Sequence, residues 1–102
     1  MTREEAQRAL AECRKTIDAL DLQLLELLNQ RTRVVEEIGR AKELAGLPIY
    51  EPKREEDVFR NVTDHNRGPL SDDALKSIFE RIIDEMRTLQ RMRRQKQGEK
   101  EC

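Results

Sequence analysis

The sequence predicts an all-α protein with three helices per chain, the first of them very long. Glu, Arg and Leu dominate, aromatic residues make up 3% and Trp is absent, which is the composition of long amphipathic helices. Apolar residues recur at steps of three and four over most of the chain, the spacing of a helical stripe. Pro48, Pro52 and Pro69 fall only at or between the ends of those periodic segments, as helix-terminating residues should.

The first helix is predicted from about Glu4 to about Ala45. No Pro interrupts it, Gly39 is its only glycine, and Ile17, Leu20, Leu24, Leu27, Leu28, Val34, Val35 and Ile38 form its apolar stripe. Gly46 then supplies a C-terminal stop, and Pro48 forbids continuation. Pro52 suits the first turn of a second, short helix that carries Val58, Phe59 and Val62 and dissolves at Asn66-Arg67-Gly68-Pro69. Ser71 offers an N-cap, with Asp72 and Asp73 in the first turn of a third helix marked by Leu75, Ile78, Phe79, Ile82, Ile83, Met86 and Leu89. The whole chain, 1–102, reads as one domain with its core at about 8–92. The charged segment 93–102 reads as a frayed, solvated tail, not an RNA-binding arm.

Length decides the assembly. At ~1.5 Å per residue the first helix is ~63 Å long, about twice the breadth expected of a 102-residue globule. A stripe of that length is buried only if a second chain supplies the missing surface, so a homodimer built on paired long helices is expected.

Composition also narrows the function. Twenty basic against twenty-one acidic residues leave the chain near neutrality, so no global field draws it to nucleic acid or to a membrane. The polar start Met1–Gln7 and the lack of a long apolar run predict a cytoplasmic protein. Cys13 and Cys102 suggest neither a disulfide framework nor a zinc site and read as free thiols. No Ser-His-Asp grouping, glycine-rich phosphate loop or cluster of metal ligands is visible, and His65 sits in the polar end of the second helix. Nucleophilic catalysis, phosphoryl transfer and metal-assisted hydrolysis are disfavoured, and no cofactor or metal is expected.

Charged and amide groups break all three stripes. Arg14, Ile17, Asp21, Leu24, Leu28, Arg31, Val35, Ile38 and Lys42 form a heptad-like seam on which three cations lie. An unpaired charge moved into an apolar interface costs several kcal/mol, so these positions need partners or an anion. Taken singly, each has a plainer reading as a snorkelling or ion-paired side chain. On the second helix Glu51, Arg54 and Glu55 share a face with Val58 and Val62. On the third, Leu75, Phe79, Ile82, Met86, Gln90 and Arg93 form a line that places an amide where an apolar residue belongs. The combined set, cation-rich with two carboxylates and a neutral amide, suits a small polyanion.

The stretches Arg14-Lys-Thr-Ile-Asp-Ala-Leu-Asp21, Gln30-Arg31, Ile38-Gly-Arg-Ala-Lys42, Glu51-Pro-Lys-Arg54-Glu55 and Ile82-Ile-Asp-Glu-Met-Arg-Thr-Leu-Gln90 resemble, in order, the all-helical AroQ-class chorismate mutases. The resemblance covers about residues 8–92. It implies an intertwined homodimer with two shared active sites that rearranges chorismate to prephenate in phenylalanine and tyrosine biosynthesis. It also implies roles for particular residues. Arg14, Arg31 and Arg54 match arginines around the substrate carboxylates; Lys42 matches a lysine on a carboxylate and the ether oxygen, and Gln90 the second donor to that oxygen. Glu55 matches an acceptor from the ring hydroxyl. Two positions depart from the family. Glu51 stands where Asp is frequent, and Met86 replaces what is often a small polar residue, so one carboxylate contact is either missing or left to the backbone. On this reading Lys42, Gln90 and Arg31 are catalytic, and Arg14, Glu51, Arg54, Glu55 and Met86 complete the substrate-binding set.

Two other functions share these residues. Isochorismate-pyruvate lyases resemble the same pattern, but Glu51 and Glu55 tip the choice towards the mutase. Gly46–Glu55 and Asn66-Arg-Gly-Pro69 also resemble mutase domains fused to, or docked on, DAHP synthase, the enzyme that opens the shikimate pathway, which would make that enzyme a partner.

Overall fold

The computed structural model describes residues 1–101. Three helices make up the fold, α1 (Arg3–Ala45), α2 (Pro52–His65) and α3 (Asp72–Glu101). The chain divides into two units, Met1–Val34 and a second beginning at Val35. Cys13 is an exposed free thiol, whereas Cys102, read from sequence in the same way, lies outside the described residues. No helix among the described residues is long and apolar enough to cross a membrane.

The first unit is helix throughout from Arg3. It begins with Thr2, whose Oγ1 accepts from the Glu5 amide at 3.1 Å, and has Glu4 and Glu5 in its first turn, where negative charge offsets the exposed amide dipoles. Its apolar residues find almost no cover. Leu10, Ile17, Leu20, Leu24, Leu25, Leu27 and Val34 are all exposed, and of this stripe only Leu28 is half-buried. Helices in water draw most of their stability from packing an apolar face, and in this unit that face is left uncovered.

The second unit contains the last turns of α1, then α2 and α3. Gly46, at φ +69°, ends α1 in the left-handed region that favours glycine. The Leu47 amide donates back to the Lys42 carbonyl at 2.8 Å and the Gly46 amide to that of Glu43 at 3.2 Å, the paired bonds of a Schellman cap. Pro52 occupies the first turn of α2. Asn66 closes the α2–α3 connection: its side-chain amide donates to the Leu70 carbonyl and to Asp72, both at 2.8 Å, and its Oδ1 accepts from the Gly68 amide at 3.0 Å. Ser71 caps α3 as its residue type predicts, with Oγ accepting from the Ala74 amide at 3.1 Å.

The core is minimal. Val35 of α1 and Ile83 of α3 are its buried apolar residues, flanked by half-buried Ile49, Val58, Phe59, Val62, Leu75, Phe79, Ile82, Met86 and Leu89. Helix α3 also continues to Glu101, into the segment 93–102 read from sequence as a frayed tail. Its first residues are held in place: Arg93 pairs with Glu36 of α1, and Arg94 Nη1 donates to the Leu47 carbonyl at 3.2 Å.

Candidate active site

The two cations of the seam that lie in the first unit have different environments. Arg14 is exposed, whereas Arg31 is half-buried. The remaining predicted site residues belong to the second unit, where the fold brings Lys42 and Glu51 together.

Lys42 is well enclosed. Its side chain retains 12% of its accessible surface, and its ammonium lies 2.7 Å from Glu51 Oε1 and donates to the Ile49 carbonyl at 2.8 Å. Both partners come from the connection after the Gly46 cap, so the glycine turn folds the chain back over the last turn of α1. Glu51 occupies the N-cap position of α2 but makes no side-chain cap there; its carboxylate is spent on Lys42 instead. An ammonium has three N–H donors, so these two contacts leave one for a ligand.

Gln90 approaches α1 at Gly39, one turn before Lys42. A Cβ at Gly39 would stand 3.6 Å from Gln90 Cγ, which is ordinary van der Waals contact, so the amide lies close against the helix at this position. The Gln90 Oε1 atom is buried and has no hydrogen-bond partner; its capacity is not consumed by the fold. A small open cleft adjoins this amide, lined by Glu36, Gly39, Arg40, Glu43, Arg93 and Arg94. Lys42 does not border that cleft, which sets Gln90 beside Arg40 and Arg94.

Glu55 is half-buried and pairs with a residue the sequence reading did not single out. Arg87 Nη2 donates to Glu55 Oε1 at 2.9 Å, reaches Asp84 Oδ1 at 3.4 Å, and its guanidinium lies 5.0 Å from the centre of the Tyr50 ring. Arg54 is exposed and Met86 is half-buried. A signal for Arg87 was available: Ile83, Arg87, Gln90 and Arg94 follow one another at steps of four, three and four, and Ile83 is the residue of α3 that is buried among those described. The inner line of α3 therefore runs through Arg87 as well as Gln90. Among the described residues, the buried side-chain polar atoms without a hydrogen-bond partner are Arg87 Nε, Gln90 Oε1 and Arg94 Nη2, and all lie on that line. Such orphaned groups are costly in a finished core, and here they mark a face equipped for further polar contacts.

The sequence matches the family described as chorismate mutase type II over residues 13–91. The chain belongs to the chorismate mutase type II family. Within it, the chain is 38% identical over 78 residues to a bifunctional chorismate mutase/prephenate dehydratase of Aquifex aeolicus, an alignment covering 72% of this chain and 22% of that protein. The chain thus spans about a fifth of the length of the first curated relatives it matches. Among solved structures it resembles chorismate mutase form II from Thermus thermophilus, with a TM-score of 0.80, 36% identity and coverage of 81% of this chain and 94% of that one. It also resembles the chorismate mutase of Helicobacter pylori solved in complex with prephenate, with a TM-score of 0.77, 28% identity and coverage of 82% and 91%. The all-helical chorismate mutase fold predicted from sequence is the fold observed.

Proposed function

We propose that this chain is a chorismate mutase acting as a homodimer with two shared active sites. The observation that carries the reading is the enclosed Lys42 ammonium, with one donor to spare, in a chain of the chorismate mutase type II family. The exposed stripe from Leu10 to Val34 supports the dimer, because a second copy of the same stripe is the surface that would cover it.

Chorismate is an enolpyruvyl ether carrying two carboxylates. In the rearrangement its ether C–O bond breaks while a new C–C bond forms, and electrons move around one ring with no atom or proton gained or lost. The protein's task is to hold the reactive conformer and to stabilise charge on the ether oxygen. Arg31, Arg54 and the partner's Arg14 would grip the carboxylates; guanidinium forks suit that geometry. Lys42 and the Gln90 amide would donate to the ether oxygen as it becomes more negative, which favours the transition state over the ground state. Glu55 would accept from the ring hydroxyl, Glu51 would hold the Lys42 ammonium beside the substrate, and Met86 would line the substrate's surroundings.

The deciding experiment follows the loss of chorismate absorbance and identifies the product. Prephenate is expected. Release of pyruvate would point to a lyase, and an unchanged substrate would overturn the enzymatic reading.

A further inference from the structure

We infer that Arg87 is a positioning residue for Glu55: it holds one carboxylate oxygen so that the other is presented to the ring hydroxyl of the substrate. The inference rests on the mutase reading above and extends it to a residue outside the predicted site.

The geometry has three parts. The Arg87–Glu55 contact, at 2.9 Å, joins α3 to α2 and engages Oε1 alone, with both side chains 23% exposed. A carboxylate has about four acceptor positions on its two oxygens, so this bond leaves Oε2 available. The guanidinium is itself braced, by the Tyr50 ring beneath it at 5.0 Å and by Asp84 at 3.4 Å. A cation over an aromatic face with a second carboxylate beside it has few alternative placements, and the Glu55 carboxylate inherits that restriction. Finally, Arg87 lies one turn before Gln90 on the inner line of α3, so a single helix would set both the ether-oxygen donor and the hydroxyl acceptor. A Glu side chain without such a brace has several accessible rotamers and loses entropy when a ligand fixes it.

The test is a double-mutant cycle on the full chain with chorismate as the probe. Arg87→Met keeps the stem that covers Tyr50 and removes the fork. It is expected to lower kcat/KM by about ten- to a hundredfold, the scale of a misplaced contact group, and mainly through KM, since the hydroxyl contact exists in ground and transition states alike. Arg87→Lys, which retains a cation, should recover part of the loss. In a Glu55→Gln background Arg87→Met should change kcat/KM by less than about twofold, because a residue that acts through another has nothing left to act on. Circular dichroism verifies that helicity is kept, and if the Met variant does not fold the same cycle is read with Arg87→Lys. Full additivity of the two substitutions would overturn the inference and give Arg87 a role of its own. Wild-type protein that forms no prephenate would overturn the mutase reading and this inference with it, an outcome distinct from additivity in an active enzyme.

Discussion

The ammonium of Lys42 and the carboxylate of Glu51 meet at 2.7 Å, across the turn that joins α1 to α2. The Glu51 carboxylate thereby makes no cap bond at the start of α2, and Lys42 is held with one donor free. Deleting a single preorganised donor to a developing oxyanion costs about two to three powers of ten in rate. Lys42→Ala and Gln90→Ala are each expected to lower chorismate turnover by that factor while leaving helicity intact. Steady-state kinetics checks this, and near-normal turnover of either variant would remove that residue from the catalytic set.

Gln90→Glu separates hydrogen-bond donation from simple occupancy of space. A neutral amide donates at every pH, whereas a carboxyl donates to an ether oxygen only when protonated. The variant should be weak at neutral pH and gain activity as pH falls through the range in which its new carboxyl takes up a proton. The wild-type profile measured beside it isolates the effect, and normal activity with a flat profile in the variant would contradict the donor role.

Gly39 gives a prediction with opposite signs for two substitutions. A Cβ there meets Gln90 Cγ at 3.6 Å, an ordinary contact. Gly39→Ala should therefore be tolerated by the site and should stabilise α1 by about 0.5–1 kcal/mol, the helix-propensity difference. Gly39→Leu places branched carbons where Gln90 now lies, and turnover should fall towards the level of Gln90→Ala. Thermal melts and kinetics on both variants test the pair; a fully active Leu variant would show that Gln90 does not need its place against α1.

Much of this was legible in the sequence because local chemistry dictates it. Gly46, Pro52 and Ser71 mark helix ends by backbone geometry and capping, and each occupies its expected place. The family pattern of five short stretches was readable because residue types and spacing carry it. The partners of the charged residues were not. Glu55 finds Arg87 and Glu36 finds Arg93 across 32 and 57 positions of chain, and such pairings depend on how helices are rotated against each other. That rotation also hides Arg87 from the sequence: the apolar line of α3 through Ile82 and Met86 lies beside the inner face, where Ile83 is buried, about 100° round the helix from Ile82. The same rotation carries Arg93 and Arg94 of the charged tail to partners on α1 and the turn after it.

The exposed apolar stripe of residues 1–34 makes the proposed dimer testable. If a second chain covers Leu10, Ile17, Leu20, Leu24 and Leu27, folding and association are linked, and the unfolding midpoint rises with protein concentration. Thermal melts over a hundredfold range of concentration test this alongside sedimentation. A monodisperse folded monomer would remove the basis for a shared site.

The composition of each site can be tested through Arg14 and Arg31. They are 17 residues apart on α1, ~25 Å along the axis at ~1.5 Å per residue. Two arginine side chains from one helix do not bridge that distance to a chorismate-sized ligand. A partner helix that crosses or runs antiparallel brings the partner's Arg14 back towards Arg31, and two-fold symmetry then creates two such composite sites. Homodimers of Arg14→Ala and of Arg31→Ala should each be nearly inactive, because every site carries one lesion. When the two are unfolded and refolded together in equal amounts, about half of the dimers are mixed under random pairing. In each mixed dimer one site collects both lesions and the other collects none, so about a quarter of wild-type sites should return. The recovered activity should retain the wild-type KM, since the restored sites are chemically intact. Mixed dimers that form but recover no activity would refute the shared site and assign Arg14 and Arg31 to the same protomer's half.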